Sequence, residues 1–335
     1  MKLFDDISLT EYNCFLCGEL LIDCSTVEHV FPKWLLKRFD LWNERLTLLN
    51  TTKIPYKNLV IPCCAKCNNN SLSQLEKRIE LAFLDGYETM KRLDKLDVFR
   101  WMMKIMYGLL YRELTLLRER ANSSSGYIIT PDELKKWRML RVFLQSIRLP
   151  FIFHNDIPAS VFIFKLHELH SDNNYFYNDT PATLCSMVRM GEVGIIVCAE
   201  DNGMLSDVFF DLYSALETIA LHPIQFYEFF AQVTYLRYLM NRTPKYLFTG
   251  HHLADHPVEV VAMPMKGLSE KPIFDEWDPN YYAKIFEMIL NKGGYNIDSG
   301  VRCQDMACST LVDENNKIVL MDKYQNIVGK KAWKK

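Results

Sequence analysis

Two Cys-x-x-Cys pairs, Cys14/Cys17 and Cys64/Cys67, stand near the start of the chain, about fifty residues apart. Each pair can supply two thiolates to one tetrahedral zinc, and four sulfurs close the coordination shell. Such a staple draws the intervening segment into a small domain that needs little apolar core. With every position filled by protein, the metal is structural rather than catalytic. A competing register, Cys63-x3-Cys67, also fits a zinc site, and the match to the Cys14/Cys17 pair favours Cys64.

Between the pairs lies Glu28-His29-Val30, and Asn68 follows Cys67 directly. A lone Glu-His pair is common on surface helices and loops, so its place between two metal-binding pairs is what gives it weight. From Cys14 to about Glu76, roughly a fifth of the chain, the sequence resembles the HNH endonucleases. The resemblance rests on Glu28-His29, on Asn58 in Lys57-Asn58-Leu59-Val60-Ile61, and on Asn68 in Cys64-Ala65-Lys66-Cys67-Asn68, and it is to the His-Asn-Asn variant. Glu28 stands where Asp is common, and the run Asn68-Asn69-Asn70 offers three candidates for the last ligand, of which Asn68 adjoins the cysteine.

What the resemblance implies is specific. The fold class is α+β: an N-terminal zinc-stapled ββα-metal (HNH, or His-Me finger) module, then a helical region and a larger mixed α+β domain. Cys14, Cys17, Cys64 and Cys67 hold structural Zn2+, while Glu28 and the amide oxygen of Asn68 hold a catalytic Mg2+ or Mn2+. His29 is the general base, and Asn58 braces it by bonding backbone across the histidine loop. The substrate is DNA, cut to 5′-phosphate and 3′-hydroxyl ends. The chemistry is coherent: an imidazole with an ordinary pKa of about 6.5 suits proton removal from water, and a hard cation takes carboxylate and amide oxygens. Glu28 and His29 point to opposite sides of an extended strand, so both serve one site only on a twisted ribbon or loop. The alternative reading is a non-catalytic, zinc-dependent nucleic-acid or protein binding module.

Composition sets bounds on the rest. The 335 residues are 49% hydrophobic and 24% charged, ordinary for a globular protein with two or three cores. No apolar run approaches the roughly 20 residues of a membrane span, and the start is acidic too early for a signal peptide, so the expectation is a cytoplasmic protein. Of ten cysteines, Cys24, Cys185 and Cys198 read as small core residues, and Cys303-x4-Cys308 as two unrelated thiols. Asn-x-Ser/Thr triplets at Asn50, Asn122 and Asn241 carry no meaning in a reducing compartment. The formal net charge is −2, yet Lys91 to Arg148 holds about twice as many basic as acidic residues. Arg100, Lys104 and Arg112 there are the candidates for phosphate contact, against the plainer reading of a solvated helix face.

The expected domains are 1–80, the nuclease module; 81–149, a basic helical region; and 150–335, an α+β domain of target, partner or signal recognition. In the module, Leu20 to Val30 reads as an extended ribbon, Pro32 to Phe39 as a short helix, and Asn58 to Pro62 as the return strand. The helix after Cys67 begins at Asn68 or resets at the capping-box spacing of Ser73 and Glu76. Apolar residues at spacings of three and four predict a helix over Asp97 to Arg120, and Thr130-Pro131-Asp132-Glu133 starts another that runs to Ile147. Further on, strands are expected at Val161–Leu166, Thr183–Met190, Val193–Ala199 and Val258–Met263, with a tight turn at Met190-Gly191-Glu192. Helices are expected at Asp207–Ala220, Pro223–Asn241 and Tyr281–Asn291, and a hairpin around Asp313 to Asn316. The stripe Phe226, Tyr227, Phe229, Phe230, Tyr235 and Tyr238 reads as a buried helix, and His251-His252-x3-His256 with Asp255 as a polar loop. Fusions of this kind resemble nucleases of mobile elements, restriction or phage defence, whose large domain meets a protein partner or activating ligand. One active site cuts one strand at a time, so double-strand breaks would imply a homodimer or sequential nicking.

Overall fold

The computed structural model describes residues 9–21, 25–119, 121–154, 157–169, 174–250, 256–265, 270–295, 302–303, 306–307 and 309–321. Cys24, His251 to Asp255, Cys308 and the basic end Lys330 to Lys335 lie outside them. The fold is mixed α+β. In chain order the elements are β1 (Ser25–His29), α1 (Lys33–Arg38), β2 (Arg45–Thr47), β3 (Lys53–Pro55), β4 (Val60–Cys64), α2 (Ser73–Asp85), α3 (Tyr87–Arg92), α4 (Lys95–Glu113), α5 (Pro131–Leu134) and α6 (Arg138–Leu144). There follow β5 (Phe151–Phe153), β6 (Ala159–Leu166), β7 (Tyr175–Thr180), β8 (Cys185–Met190), β9 (Val193–Ala199), α7 (Met204–Val208), α8 (Phe210–Leu216), β10 (Ala220–Leu221) and α9 (Pro223–Leu239). Last come β11 (Tyr246–Thr249), β12 (Val258–Ala262), α10 (Pro279–Lys292) and the short pair β13 (Arg302–Cys303) and β14 (Met306–Ala307).

The chain divides into two compact units. The first takes Met1–Leu84, Asp94–Asn155 and Tyr246–Val261; the second takes Asp85–Leu93, Asp156–Lys245 and Ala262–Lys335. The grouping differs from the three-part reading, because α4 to α6 belong to the same unit as the two cysteine pairs.

In the first unit, β1 and β4 form an antiparallel ribbon with Ser25 opposite Cys64 and His29 opposite Val60. Helical backbone starts at Ala65, widens into a π-type turn over Cys67–Leu72, and continues as α2. The expected start at Asn68 or Ser73 is therefore replaced by one longer helix that carries Cys67 and Asn68 in its first turns. The α4 helix lies close against the ribbon: a Cβ on Gly108 would come within 3.2 Å of Ile61 and 3.3 Å of Val30. Asp94 caps α4 by accepting from the Leu96 N–H at 2.9 Å. Along α4, Val98 to Leu110 are all buried except Arg100, so the helix has no solvated basic face of the expected kind. Thr130 and Glu133 form the expected capping box, and α5 and α6 are joined by a 3-10 turn at Lys135–Trp137. A three-stranded sheet, β11-β12-β5, sets Tyr246, Phe248 and Phe153 around the Phe143 ring.

The second unit is built on a five-stranded sheet ordered β10-β6-β9-β8-β7. The expected turn forms: Gly191 has a φ of 58°, and β8 and β9 pair from Met190–Val193 to Cys185–Cys198. The α9 helix fills one face of the sheet, with Phe226, Tyr227, Phe229, Phe230 and Tyr235 buried as expected, while Tyr238 is exposed beside Tyr281. Cys185 and Cys198 are buried core residues. Residues 309–319 are fastened to α9 through Glu228, which accepts from Ser309 and Thr310, and through Gln225, which donates to the carbonyls of Thr310 and Val319. No described helix is long and apolar enough to cross a membrane.

Candidate metal centre and the residues around it

The first cysteine pair sits on a tight reversal. Gly18 adopts a φ of 80°, which glycine reaches without steric penalty, and its N–H donates to Cys14 O at 2.8 Å. The Cys14 N–H donates to Glu19 O at 2.8 Å, and Asn13 Nδ2 donates to Gly18 O at 3.1 Å. The second pair sits where β4 passes into the helix, and the Cys67 N–H donates to Cys64 Sγ at 3.4 Å. A backbone bond from Phe15 N–H to Pro62 O (3.0 Å) joins the two pairs.

The Sγ atoms of Cys14, Cys17, Cys64 and Cys67 all lie within 4.8 Å of one another, and those of Cys17 and Cys64 are 3.8 Å apart. Sulfurs at about 2.3 Å from a tetrahedral zinc are about 3.8 Å from each other, so the cluster fits a metal such as zinc. Cys63 Sγ lies 3.9 Å from Cys14 Sγ but outside this group, which settles the register on Cys64. The thiols compete for protons at this spacing. Hydrogen bonding with the Cys17, Cys63 and Cys67 thiols holds Cys14 well below the ordinary thiol range. Their bonds to Cys14 push Cys17 up to about 12 and raise Cys63 and Cys67 well above the usual value. A divalent cation relieves this competition by stabilising all four thiolates together.

The helices secure the first pair, and the loop at Leu49, from outside. The Tyr111 hydroxyl donates toward Thr10 O (2.6 Å) and Asn13 O (2.9 Å), Gln145 Nε2 donates to Leu16 O (2.7 Å), and Glu113 Oε1 accepts from the Leu49 N–H (3.0 Å).

His29 ends β1, half-buried, with its ring centroid 5.8 Å from that of Trp42. Its Nδ1 is buried and meets no hydrogen-bond partner among the described residues. Burial holds its pKa below the ordinary imidazole value, the charges of Lys33 and Lys104 add to this, and Glu28 opposes it. The surroundings therefore favour the neutral ring over the charged one.

Glu28, the residue before, is only 7% exposed and faces α4. There the fully buried Lys104 places one ammonium among four oxygens: Glu28 Oε1 at 2.5 Å, His29 O at 2.7 Å, Glu76 Oε1 at 2.9 Å and Val30 O at 3.2 Å. Burial alone would lower this lysine, but Glu28 and Glu76 raise it above the ordinary range. Burial also pushes Glu76 up to about 7, with Glu28 adding to it and Lys104 opposing.

Asn68 sits in the wide turn, and its Nδ2 donates to Thr26 Oγ1 (2.9 Å) and Val27 O (3.3 Å) of β1. Its Oδ1 accepts no hydrogen bond among the described residues. Asn58 departs from the expected brace. It is exposed in the 3-10 turn Tyr56–Asn58, its side chain bonds no described residue, and backbone does the joining through Val30 N–H to Leu59 O (2.9 Å).

The basic surface expected on α4 is not formed by the named residues. Lys104 is in the core, Arg100 donates to Asp97 (3.0 Å) and Ser146 (3.0 Å), and Arg112 donates to Thr115 (2.9 Å). Exposed cations instead follow His29 directly, at Lys33, Lys37 and Arg38 of α1. Sequence reasoning passed over these and the Lys104 cluster. Its one available signal was Lys104 itself, a lysine inside Met102-Met103-Lys104-Ile105-Met106.

Searches of protein-family models, curated proteins and solved structures found nothing that matches this chain.

Proposed function

We propose that this chain is a metal-dependent endonuclease of the HNH type that hydrolyses DNA phosphodiester bonds with His29 as general base. One observation carries the reading: Asn68, beside the sulfur cluster, is bonded to the strand that presents Glu28 and His29. The bonds from Asn68 to Thr26 and Val27 support the reading by tying the helix that follows Cys67 to the histidine strand. A general base near neutral pH must be unprotonated, and burial of the His29 ring shifts it in that direction. Exposed Lys33 acts on that ring electrostatically, and Trp42, 37% exposed, flanks it, which suits a phosphate and a base or sugar respectively. Glu28 and Asn68 offer the oxygens a hard cation takes, with Lys104 already engaging one Glu28 oxygen. Glu28 and Asn68 would hold Mg2+ or Mn2+, which would supply Lewis acidity to the phosphoryl group and the leaving 3′ oxygen. Restriction, phage defence or a mobile element is the proposed setting, with the second unit meeting a target, protein partner or activating ligand.

The burial of Glu28 against Lys104 favours a second reading, a zinc-dependent module that binds nucleic acid or protein without cutting it. Supercoiled plasmid with added Mg2+ or Mn2+ separates the two, comparing wild type with His29→Ala at matched zinc content. Metal-dependent nicking lost in His29→Ala supports the nuclease. DNA bound but uncut by both proteins supports the binding module.

A further inference from the structure

Lys104 has a place that a structural ion pair does not require. An ammonium that only balanced the carboxylates of Glu28 and Glu76 would bond carboxylate oxygens. This one also lies 2.7 Å from His29 O and 3.2 Å from Val30 O, the carbonyls that bracket the His29–Val30–Phe31 turn out of β1. The ladder runs out there: Val30 N–H donates to Leu59 O one step beyond the last paired residues, His29 and Val60, and the chain then turns away from β4. Two carbonyls leaving a strand end inside the protein need a donor. A lysine has three N–H groups and full freedom to aim them, and here the aim is at the histidine peptide. The role the HNH resemblance gives to the Asn58 side chain is thus open, because Asn58 is exposed and makes no side-chain bond to a described residue.

We propose that Lys104 is the positioning residue of the candidate active site, clamping the Glu28-His29-Val30 backbone from α4 so that the His29 imidazole is held in one orientation. The inference rests on the nuclease reading for its kinetic consequence and on geometry alone for the clamp. Glu28 and the two carbonyls are on the histidine strand, whereas Glu76 is on α2. Cutting the Glu76 contact therefore disturbs charge balance without touching His29. Cutting the Lys104 contacts frees the histidine peptide. Misplacing a reacting group by about 1 Å can cost roughly a hundredfold in rate, and substrate affinity need not follow.

The test compares wild type, Glu76→Gln, and Glu76→Gln/Lys104→Met in the full chain at matched zinc content. The double variant is used because Lys104→Met alone leaves the carboxylates of Glu28 and Glu76 together without a cation. Expected are a kcat within about twofold of wild type for Glu76→Gln, and a kcat lower by about 10–100-fold for the double variant, with KM for plasmid changed less than about threefold. The His29 ring Cε1–H resonance should match wild type in Glu76→Gln and shift or broaden in the double variant. Equal loss of kcat in both variants would show a charge-balancing role and overturn the proposal, as would an unchanged kcat in the double variant. If wild type cuts no DNA, the nuclease reading fails by itself, and the ring resonance still decides the clamp: an unmoved signal in the double variant ends it. Should the double variant lose its zinc, Lys104→Arg replaces it. That variant keeps the charge but not a compact ammonium among four oxygens, and wild-type kcat and ring signal in it overturn the clamp.

Discussion

Apolar burial holds both units of this chain, and the first adds polar fastenings around its ribbon. In the second, Phe229 is fully buried and meets the rings of Phe164 and Phe209 at 4.9 Å and Phe162 at 5.0 Å, so apolar burial carries the structure. In the first, the ribbon leaves Val27 64% exposed and relies on four clustered sulfurs, a buried ammonium and hydrogen bonds from helix side chains to loop carbonyls. Apolar burial has no direction and accepts many arrangements. Polar fastening fixes named atoms, and it fails when one partner goes missing. A site that must place a histidine accurately is better served by the second kind.

The sharpest way to break that contrast is to remove a metal ligand. Cys64→Ser should release bound zinc and unfold the first unit, since such sites contribute about 10–16 kcal/mol to folding. Hydrogen exchange read by mass spectrometry would show β1, β4 and α4 losing protection while β6, β8 and β9 keep it. Uniform loss across both units, or none, would erase the distinction.

The mirror experiment empties the aromatic core. Phe229→Ala should destabilise the second unit by about 3–5 kcal/mol, measured by urea unfolding, and leave the zinc content unchanged. Loss of zinc in that variant would mean that the two units do not stand independently.

A subtler probe is pH. Glu76 has its folded value raised to about 7, above its ordinary value near 4.5. The folded state then holds this proton more tightly than the unfolded one, so the stability it contributes is full below about 4.5 and lost as pH rises through about 7. Glu76→Gln removes that titration. The gap between the melting temperatures of Glu76→Gln and wild type should therefore move in favour of the variant from pH 5 to pH 8, and a constant gap would show that Glu76 does not titrate there.

The smallest effect belongs to Asn58. Because its side chain is exposed and bonds no described residue, Asn58→Ala should change stability by less than about 0.5 kcal/mol. A thermal shift well beyond that would restore a bracing role to the asparagine.

What could be read from the sequence was whatever its own neighbours determine. The cysteine pairs, the Thr130 and Glu133 capping box and the Gly191 turn each need partners only a few residues away, and all three form. The α4 helix was expected over Asp97 to Arg120 and forms over Lys95–Glu113, and its polar face was misread. Lys104 is buried because Glu28 and Glu76 lie 76 and 28 residues from it, and a helical periodicity carries no trace of partners so distant. Arg100 looked solvated for a related reason, since its Ser146 partner is 46 residues on. The strand β7 escaped notice because Asn178 and Asp179 break its apolar pattern; Asn178 is buried with Lys292 as its donor. Which of three asparagines faces the ribbon also depended on helix phase, and only the folded backbone supplies it.

That phase has a consequence of its own. A π-type turn holds one residue more than an α-helical turn, so everything after it is rotated by about 100° from where an unbroken helix would carry it. Cys67 and Asn68 can thereby look toward the sulfurs and the ribbon while Leu75 and Ile79 point into the core. One rod satisfies two directional demands that a regular helix would set against each other. Asn69 and Asn70 are exposed, and their contribution is arithmetic: they count as spacing. Exchanging either for another polar residue leaves the two ends in register, whereas deleting one turns the metal-binding end against the hydrophobic end, a loss that no substitution elsewhere on the helix repairs.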